Sequence, residues 1–246
     1  MDLDLTGRVA VITGASSGIG EATARTLAAH GAQVLLLARR LDRIAAIQQE
    51  IAAAGGIALA VECDVTDPAG LNRASVAARE LGRADILVNN AGVMLISPFE
   101  AGHVREWHQM LDVNLRGVFD TTNAFLDALT DGGGDIVNVS SVAGRQTGPG
   151  AAAYCATKWG LNGWSDALRK ELLHRGVRVG LVEPGAVATE LTDHITHDEA
   201  RERAKRELET EQTLDPQDIA DAILFMVSRP AHAAVNEMLV RPATQA

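Results

Sequence analysis

Ser141, Tyr154 and Lys158 stand thirteen and then four residues apart, in the stretch NVSSVAGRQTGPGAAAYCATK. A phenol titrates near ~10, so it is a poor proton donor or acceptor at neutral pH. A lysine four residues on along a helix shares its face, about 6 Å further up the axis. Its cation favours the phenolate and is expected to pull the tyrosine pKa down. A serine hydroxyl at a nearby strand end can hold a substrate oxygen against that phenol. The trio therefore reads as an acid/base site for a carbonyl and alcohol pair. Tyr154 is the chain's only tyrosine, but the spacing of its neighbours carries the reading.

Such a site needs a strand ending at Ser141 and a helix carrying Tyr154 and Lys158. Short β-branched runs at 9–12, 33–37, 57–61, 85–88, 135–139, 178–182 and 237–240 read as strands. Helical stretches lie between them, at 20–29, 41–54, 68–81, 104–129, 152–174 and 216–227. This alternation predicts an α/β fold, a doubly wound, Rossmann-type parallel sheet of seven strands with helices on both faces. It never breaks, so residues 1–246 read as a single domain. The segment 189–211, TELTDHITHDEARERAKRELETE, departs from the rhythm because it is strongly charged. It reads either as a solvated surface helix or as a substrate lid over about 188–212. Its place after a strand end favours the lid.

The first strand runs into Thr13-Gly14-Ala15-Ser16-Ser17-Gly18-Ile19-Gly20 and then a helix. Glycines at 14, 18 and 20 permit a tight turn, close approach of the backbone to a pyrophosphate, and close helix–strand packing. The helix N-terminus offers unpaired N–H groups to an anion. The second strand ends in Ala38-Arg39-Arg40, where a cofactor lacking a 2′-phosphate usually meets an acid. Guanidinium forks grip phosphate oxygens in pairs, so Arg39 and Arg40 favour NADP(H) over NAD(H). An Arg pair opening a solvated helix accounts for one of the two at most.

Seven motifs in order make the chain resemble the short-chain dehydrogenase/reductase family from about residue 8 to 240. They are TGASSGIG at 13–20, CDV at 63–65, NNAG at 89–92, Asn114 inside LDVNLRG, Ser141, YCATK at 154–158 and EPGAVATE at 183–190. With the Arg pair, the tail EMLVRPATQ is similar to the NADP-dependent branch that holds clavulanic acid dehydrogenase and 3-hydroxy acid dehydrogenases. The resemblance implies an NADP(H)-dependent oxidoreductase on a carbonyl or secondary alcohol. Tyr154 would be the general acid or base, and Ser141 would bind the substrate oxygen. Lys158 would tune the phenol and hold the nicotinamide ribose, and Asn114 would hold a water leading from Lys158 to solvent. Gly14, Ser16, Ser17, Gly18, Ile19 and Gly20 would take the pyrophosphate, and Arg39 and Arg40 the 2′-phosphate. Asp64 and Val65 would flank the adenine, and Asn90, Ala91 and Gly92 its ribose. Pro184, Gly185, Val187 and Thr189 would cradle the nicotinamide. The resemblance also implies the strand order 3-2-1-4-5-6-7 and a homo-oligomer, a dimer or homotetramer.

Bulk properties narrow the partners. The formal net charge is −10 and no basic, aromatic-interleaved patch occurs, so nucleic acid is not expected. Cys63 and Cys155 form no ligand-spaced pair, which fits a reducing compartment. MDLDLTGRVA lacks the pattern of a secretory signal, and no apolar run reaches the ~18 residues of a membrane span. A cytoplasmic, membrane-free protein is expected. His194 and His197 could share an ion but lack a third ligand, so no metal is expected. Met94, Leu95, Ile96, Val142 and Ala143 suggest an apolar substrate wall. Arg145 and Gln146 stand either beside a substrate carboxylate or at the surface. The competing function is a catalytically idle, NADP(H)-sensing binding protein; an epimerase or dehydratase usually needs a larger segment after Gly185.

Overall fold

The computed structural model describes residues 3–210 and 212–245. Met1, Asp2, Glu211 and Ala246 lie outside the described residues, Glu211 being the end of the charged segment. Seven strands form one sheet among the described residues: β1 (Val9–Thr13), β2 (Gln33–Ala38), β3 (Ile57–Glu62), β4 (Ala84–Asn89), β5 (Gly134–Val139), β6 (Val177–Pro184) and β7 (Glu237–Val240). Their order is β3-β2-β1-β4-β5-β6-β7 and every pairing is parallel, as expected. Side chains alternate between faces along each strand. Ala10, Ile12, Val34, Leu36, Ile86 and Val88 enter one core layer, while Val11, Leu35, Leu37 and Leu87 enter the other. Two covered faces explain why these strands are apolar throughout rather than at every second position. Every strand but β7 is longer than its apolar run: β1 to β4 run on into Thr13, Ala38, Glu62 and Asn89, β5 starts at Gly134, and β6 spans Val177–Pro184.

The helices are α1 (Gly18–Ala29), α2 (Leu41–Ala53), α3 (Pro68–Leu81), α4 (Val104–Leu111), α5 (Gly117–Thr130), α6 (Ala152–Leu172), α7 (Asp198–Thr210) and α8 (Pro216–Val227). Local chemistry sets several starts. The Asp67 side chain caps α3 by accepting from the N–H groups of Ala69 and Gly70, and Pro68 opens the helix without losing a donor. Asp215 and Asp218 form a reciprocal cap on α8. The single helix expected over 104–129 is instead two helices joined by a π turn at Asp112–Arg116. The charged segment becomes a short turn, Glu190–His194, followed by α7. Ala200 and Ala204 of α7, with Ile195, pack against Met94 and Ile96.

Candidate active site

The chain leaves β1 through two left-handed glycines, Gly14 at φ +66° and Gly18 at φ +56°. A Cβ on Gly14 would lie 2.8 Å from Asn90 Nδ2 and 2.9 Å from Ala91 Cα, so that close approach requires glycine. The ends of β1 and β4 are laced together there. Asn90 Nδ2 donates to the carbonyls of Thr13 (3.0 Å) and Gly14 (3.3 Å), and Thr13 Oγ1 accepts from the N–H groups of Asn90 and Ala91. The open first turn of α1, with Ser16 and Ser17 before it, faces the resulting crevice.

Beyond β2 the two arginines part. Arg39 is exposed at the rim, its charge felt by Asp64. Arg40 donates to Ser16 Oγ (2.9 and 3.1 Å), Ser17 Oγ (2.7 Å) and Glu190 Oε2 (2.8 Å).

Ser141 leaves β5 in extended conformation and its Oγ accepts from Ala143 N (3.1 Å), which starts a tight turn at Val142–Gly144. Tyr154 and Lys158 sit one helical turn apart on α6, both buried. The Tyr154 hydroxyl is hydrogen-bonded to Ser141. Burial nevertheless pushes the phenol up to about 12, outweighing that bond. Burial also lowers Lys158 to about 8. Its Nζ donates to the Val139 carbonyl (3.0 Å) and lies 5.7 Å from the tyrosine ring centre. The expected depression of the phenol pKa is therefore not what the crevice shows. The lysine is dehydrated along with the tyrosine, so its cation is itself disfavoured.

Most of the residues singled out in the sequence meet in one crevice of about 290 Å³ at the carboxyl ends of the strands. Gly14, Ser16, Ser17, Gly18, Ile19, Arg39, Arg40, Asp64, Val65, Asn90, Ala91 and Gly92 line it, with Ser141, Tyr154, Lys158, Pro184, Gly185, Val187 and Thr189. Gly20 and Asn114 stand behind the lining. Gly20 has no room for a Cβ against the Gly14 carbonyl, so it sets how closely α1 meets the turn. The buried Asn114 amide accepts from Val93 N (2.9 Å) and donates to the Val93 carbonyl (2.9 Å) and Thr157 Oγ1 (3.2 Å).

Other residues are placed differently from their first reading. Arg145 turns to Glu183, through 2.8 and 2.9 Å contacts, and to Glu237, and does not line the crevice. Met94 and Ile96 pack both against α7 and against the cluster that holds Tyr154. His194 lines the crevice, whereas the His197 ring faces His103. Cys155 is buried and directed at the Gln146 carbonyl. Glu190 and Leu191 also reach the crevice. The signal for Glu190 was its charge beside Thr189, but its partner Arg40 lies 150 positions away.

The residues present suit a dinucleotide with a 2′-phosphate. Glycines admit the backbone close to a diphosphate, a helix N-terminus faces it, and an arginine rim supplies the counter-charge.

Comparison with known proteins points the same way. A sequence model described as short chain dehydrogenase matches residues 8–200. An uncharacterized oxidoreductase of Staphylococcus saprophyticus is 40% identical over 243 residues, covering 97% of each chain. Serine dehydrogenase in its closed form, complexed with NADP+, superposes with a TM-score of 0.89 at 30% identity, over 97% of this chain and 96% of that one. An alcohol dehydrogenase from the archaeon Thermococcus sibiricus, complexed with 5-hydroxy-NADP, gives 0.87 at 32% identity, over 97% and 98%.

Proposed function

The chain belongs to the short-chain dehydrogenase family and is an NADP-dependent oxidoreductase, and from that premise we propose that it interconverts a small carbonyl compound and its alcohol at Tyr154. The observation that carries the reading is the buried Tyr154 hydroxyl, bonded to Ser141 and one helical turn from Lys158, in the crevice floored by the glycine turn.

The nicotinamide, when bound, supplies or accepts the hydride. Pro184, Gly185, Val187 and Thr189 would hold that end, and Arg39 and Arg40 the 2′-phosphate. Tyr154, held neutral by burial, is ready to give its proton to the carbonyl oxygen during reduction. Ser141 donates a second hydrogen bond to that oxygen as negative charge develops. In the reverse direction the phenol must lose its proton, and the Lys158 ammonium favours that loss. Asn114 holds Val93 and Thr157 in register beside this pair, and in this reading it would hold the water that leads from Lys158 to solvent.

We place the charged segment at about 188–212 as the lid of this crevice, because Thr189, Glu190, Leu191 and His194 line it before α7 begins. A cytoplasmic homo-oligomer, a dimer or tetramer, fits the chain: no described helix is long and apolar enough to cross a membrane. Trp159 and Leu111 on α6 and α4 are also exposed.

The test is NADPH oxidation with a panel of aldehydes, ketones and keto acids, run on the parent and on Tyr154→Phe. The parent should turn over at least one member. The variant should lose about 100-fold or more in kcat while still binding NADPH, the scale of one acid/base group. A parent idle on every carbonyl but tightly binding NADPH would mark a sensor.

A further inference from the structure

Glu190 holds the cation that the cofactor's 2′-phosphate needs. Thr189, in extended conformation, rests on the glycine turn: a Cβ on Gly18 would come 2.9 Å from its Cγ2. The Thr189 side chain caps the turn that follows, so Glu190 leaves the crevice floor at a fixed place. Its carboxylate is then shared by two guanidinium groups, Arg43 reaching both oxygens and Arg40 one of them. Oε2 accepts from Arg40 (2.8 Å), and Oε1 accepts from Arg43 (2.7 Å). The other donors of Arg40 go to Ser16 and Ser17. One guanidinium thus joins the pyrophosphate turn to the segment leading into α7.

A phosphate monoester carries up to two charges and three acceptor oxygens, more than a carboxylate offers. The 2′-hydroxyl of NAD(H) is neutral and has no comparable claim on Arg40. Arg43 lies three positions on, on the first turn of α2, where both arginines reach the same carboxylate. It can keep Glu190 when Arg40 is drawn away.

We infer that Glu190 is an internal competitor for the 2′-phosphate, holding Arg40 until phosphate engages it and then passing to Arg43. It thereby lowers the preference for NADP(H) over NAD(H) that the arginines confer, and couples the 2′-phosphate to the segment over the crevice. The inference rests on the NADP(H) reading of the crevice. The carboxyl of Glu190 agrees with strong occupancy: hydrogen bonds from Arg40 and then Arg43 lower it to about 2.

The experiment is calorimetric titration of NADP+ and NAD+ into the parent, Glu190→Gln, Arg43→Ala and the double variant. Glu190→Gln should bind NADP+ about three- to fivefold tighter, the scale of one half-exposed ion pair, with NAD+ unchanged. Arg43→Ala should weaken NADP+ in the parent but have no effect in the Glu190→Gln background, because Arg43 acts only through the carboxylate. Equal or weaker NADP+ binding by Glu190→Gln overturns the inference, as does the same Arg43→Ala loss in both backgrounds. A parent that binds NAD+ as tightly as NADP+ overturns the cofactor reading instead.

Discussion

Lys158 is a cation kept where cations are disfavoured. Among the described residues no carboxylate pairs with it; its Nζ donates to the Val139 carbonyl, and burial lowers its pKa to about 8 from 10.5. The folded state therefore binds this proton less readily than the unfolded chain, and the penalty is present in full below about pH 8. As pH rises from about 8 toward 10.5 the unfolded lysine also loses its charge, and the penalty disappears. Lys158→Met should accordingly be more stable than the parent at pH 7 and lose roughly 2–3 kcal/mol of that advantage by pH 10. Urea denaturation at pH 7, 8.5 and 10 measures the gap; a gap independent of pH refutes the account. The variant should have no useful turnover, which separates what the lysine does for chemistry from what it does for folding. The Tyr154–Lys158 pairing was legible in the sequence because one helix repeat sets it. The burial that governs both pKa values was not, since it is created by β5 and by the cluster of Val93, Leu95 and Met110 around the phenol.

At the scale of elements, the loop after β5 is held by residues outside the expected machinery. Ser140 Oγ donates to Asn162 Oδ1 (2.6 Å), and Asn162 Nδ2 donates to the Gly144 carbonyl (3.2 Å) and to Glu183 Oε1 (2.7 Å). Glu183, fully buried at the end of β6, also accepts from Arg145. Asn162 follows Lys158 by one helical turn, so a second polar row beneath the first binds α6, β6 and the Ser141 turn together. Glu183→Gln would leave Arg145 only its exposed partner Glu237 and should cost about 3 kcal/mol in urea denaturation. Because the Ser141 turn would loosen while the glycine turn stays, kcat should fall more than NADPH affinity. A variant with lowered NADPH affinity and unchanged kcat would contradict this. The sequence left Arg145 between a substrate carboxylate and the surface, because its partner Glu183 lies 38 positions later, in the motif that follows the sixth strand run. The strands themselves were legible from their apolar runs. The break at Asp112–Arg116 was not, because side-chain bonds from Asn114 to Val93 and Thr157 produce it, and helical periodicity carries no trace of them.

The whole molecule divides its duties between the two ends of the sheet. At the amino ends, the nearly buried Asp135 carboxylate accepts from Arg8 (2.6 Å) and from Arg178 (2.7 and 2.9 Å). It lies five residues along β5 from Ser140, about 16 Å from the chemistry. Asp135→Ala should cost about 3–5 kcal/mol of unfolding free energy, since two arginines lose their buried partner. Its kcat/KM at 20 °C should stay within about twofold of the parent, because the site lies beyond coupling distance. A tenfold loss of activity in a fully folded variant would refute the division. The strand order has a further consequence for how the chain is made. β1 lies in the middle of the sheet, yet three complete strand–helix units are synthesised before β4 arrives to cover its second edge. Gly185, in the crevice floor, is closed from below by Pro242 and Gln245. A nascent chain therefore carries an exposed apolar strand edge until β4 is made, and the crevice floor at Gly185 closes only once Pro242 and Gln245 are in place against it.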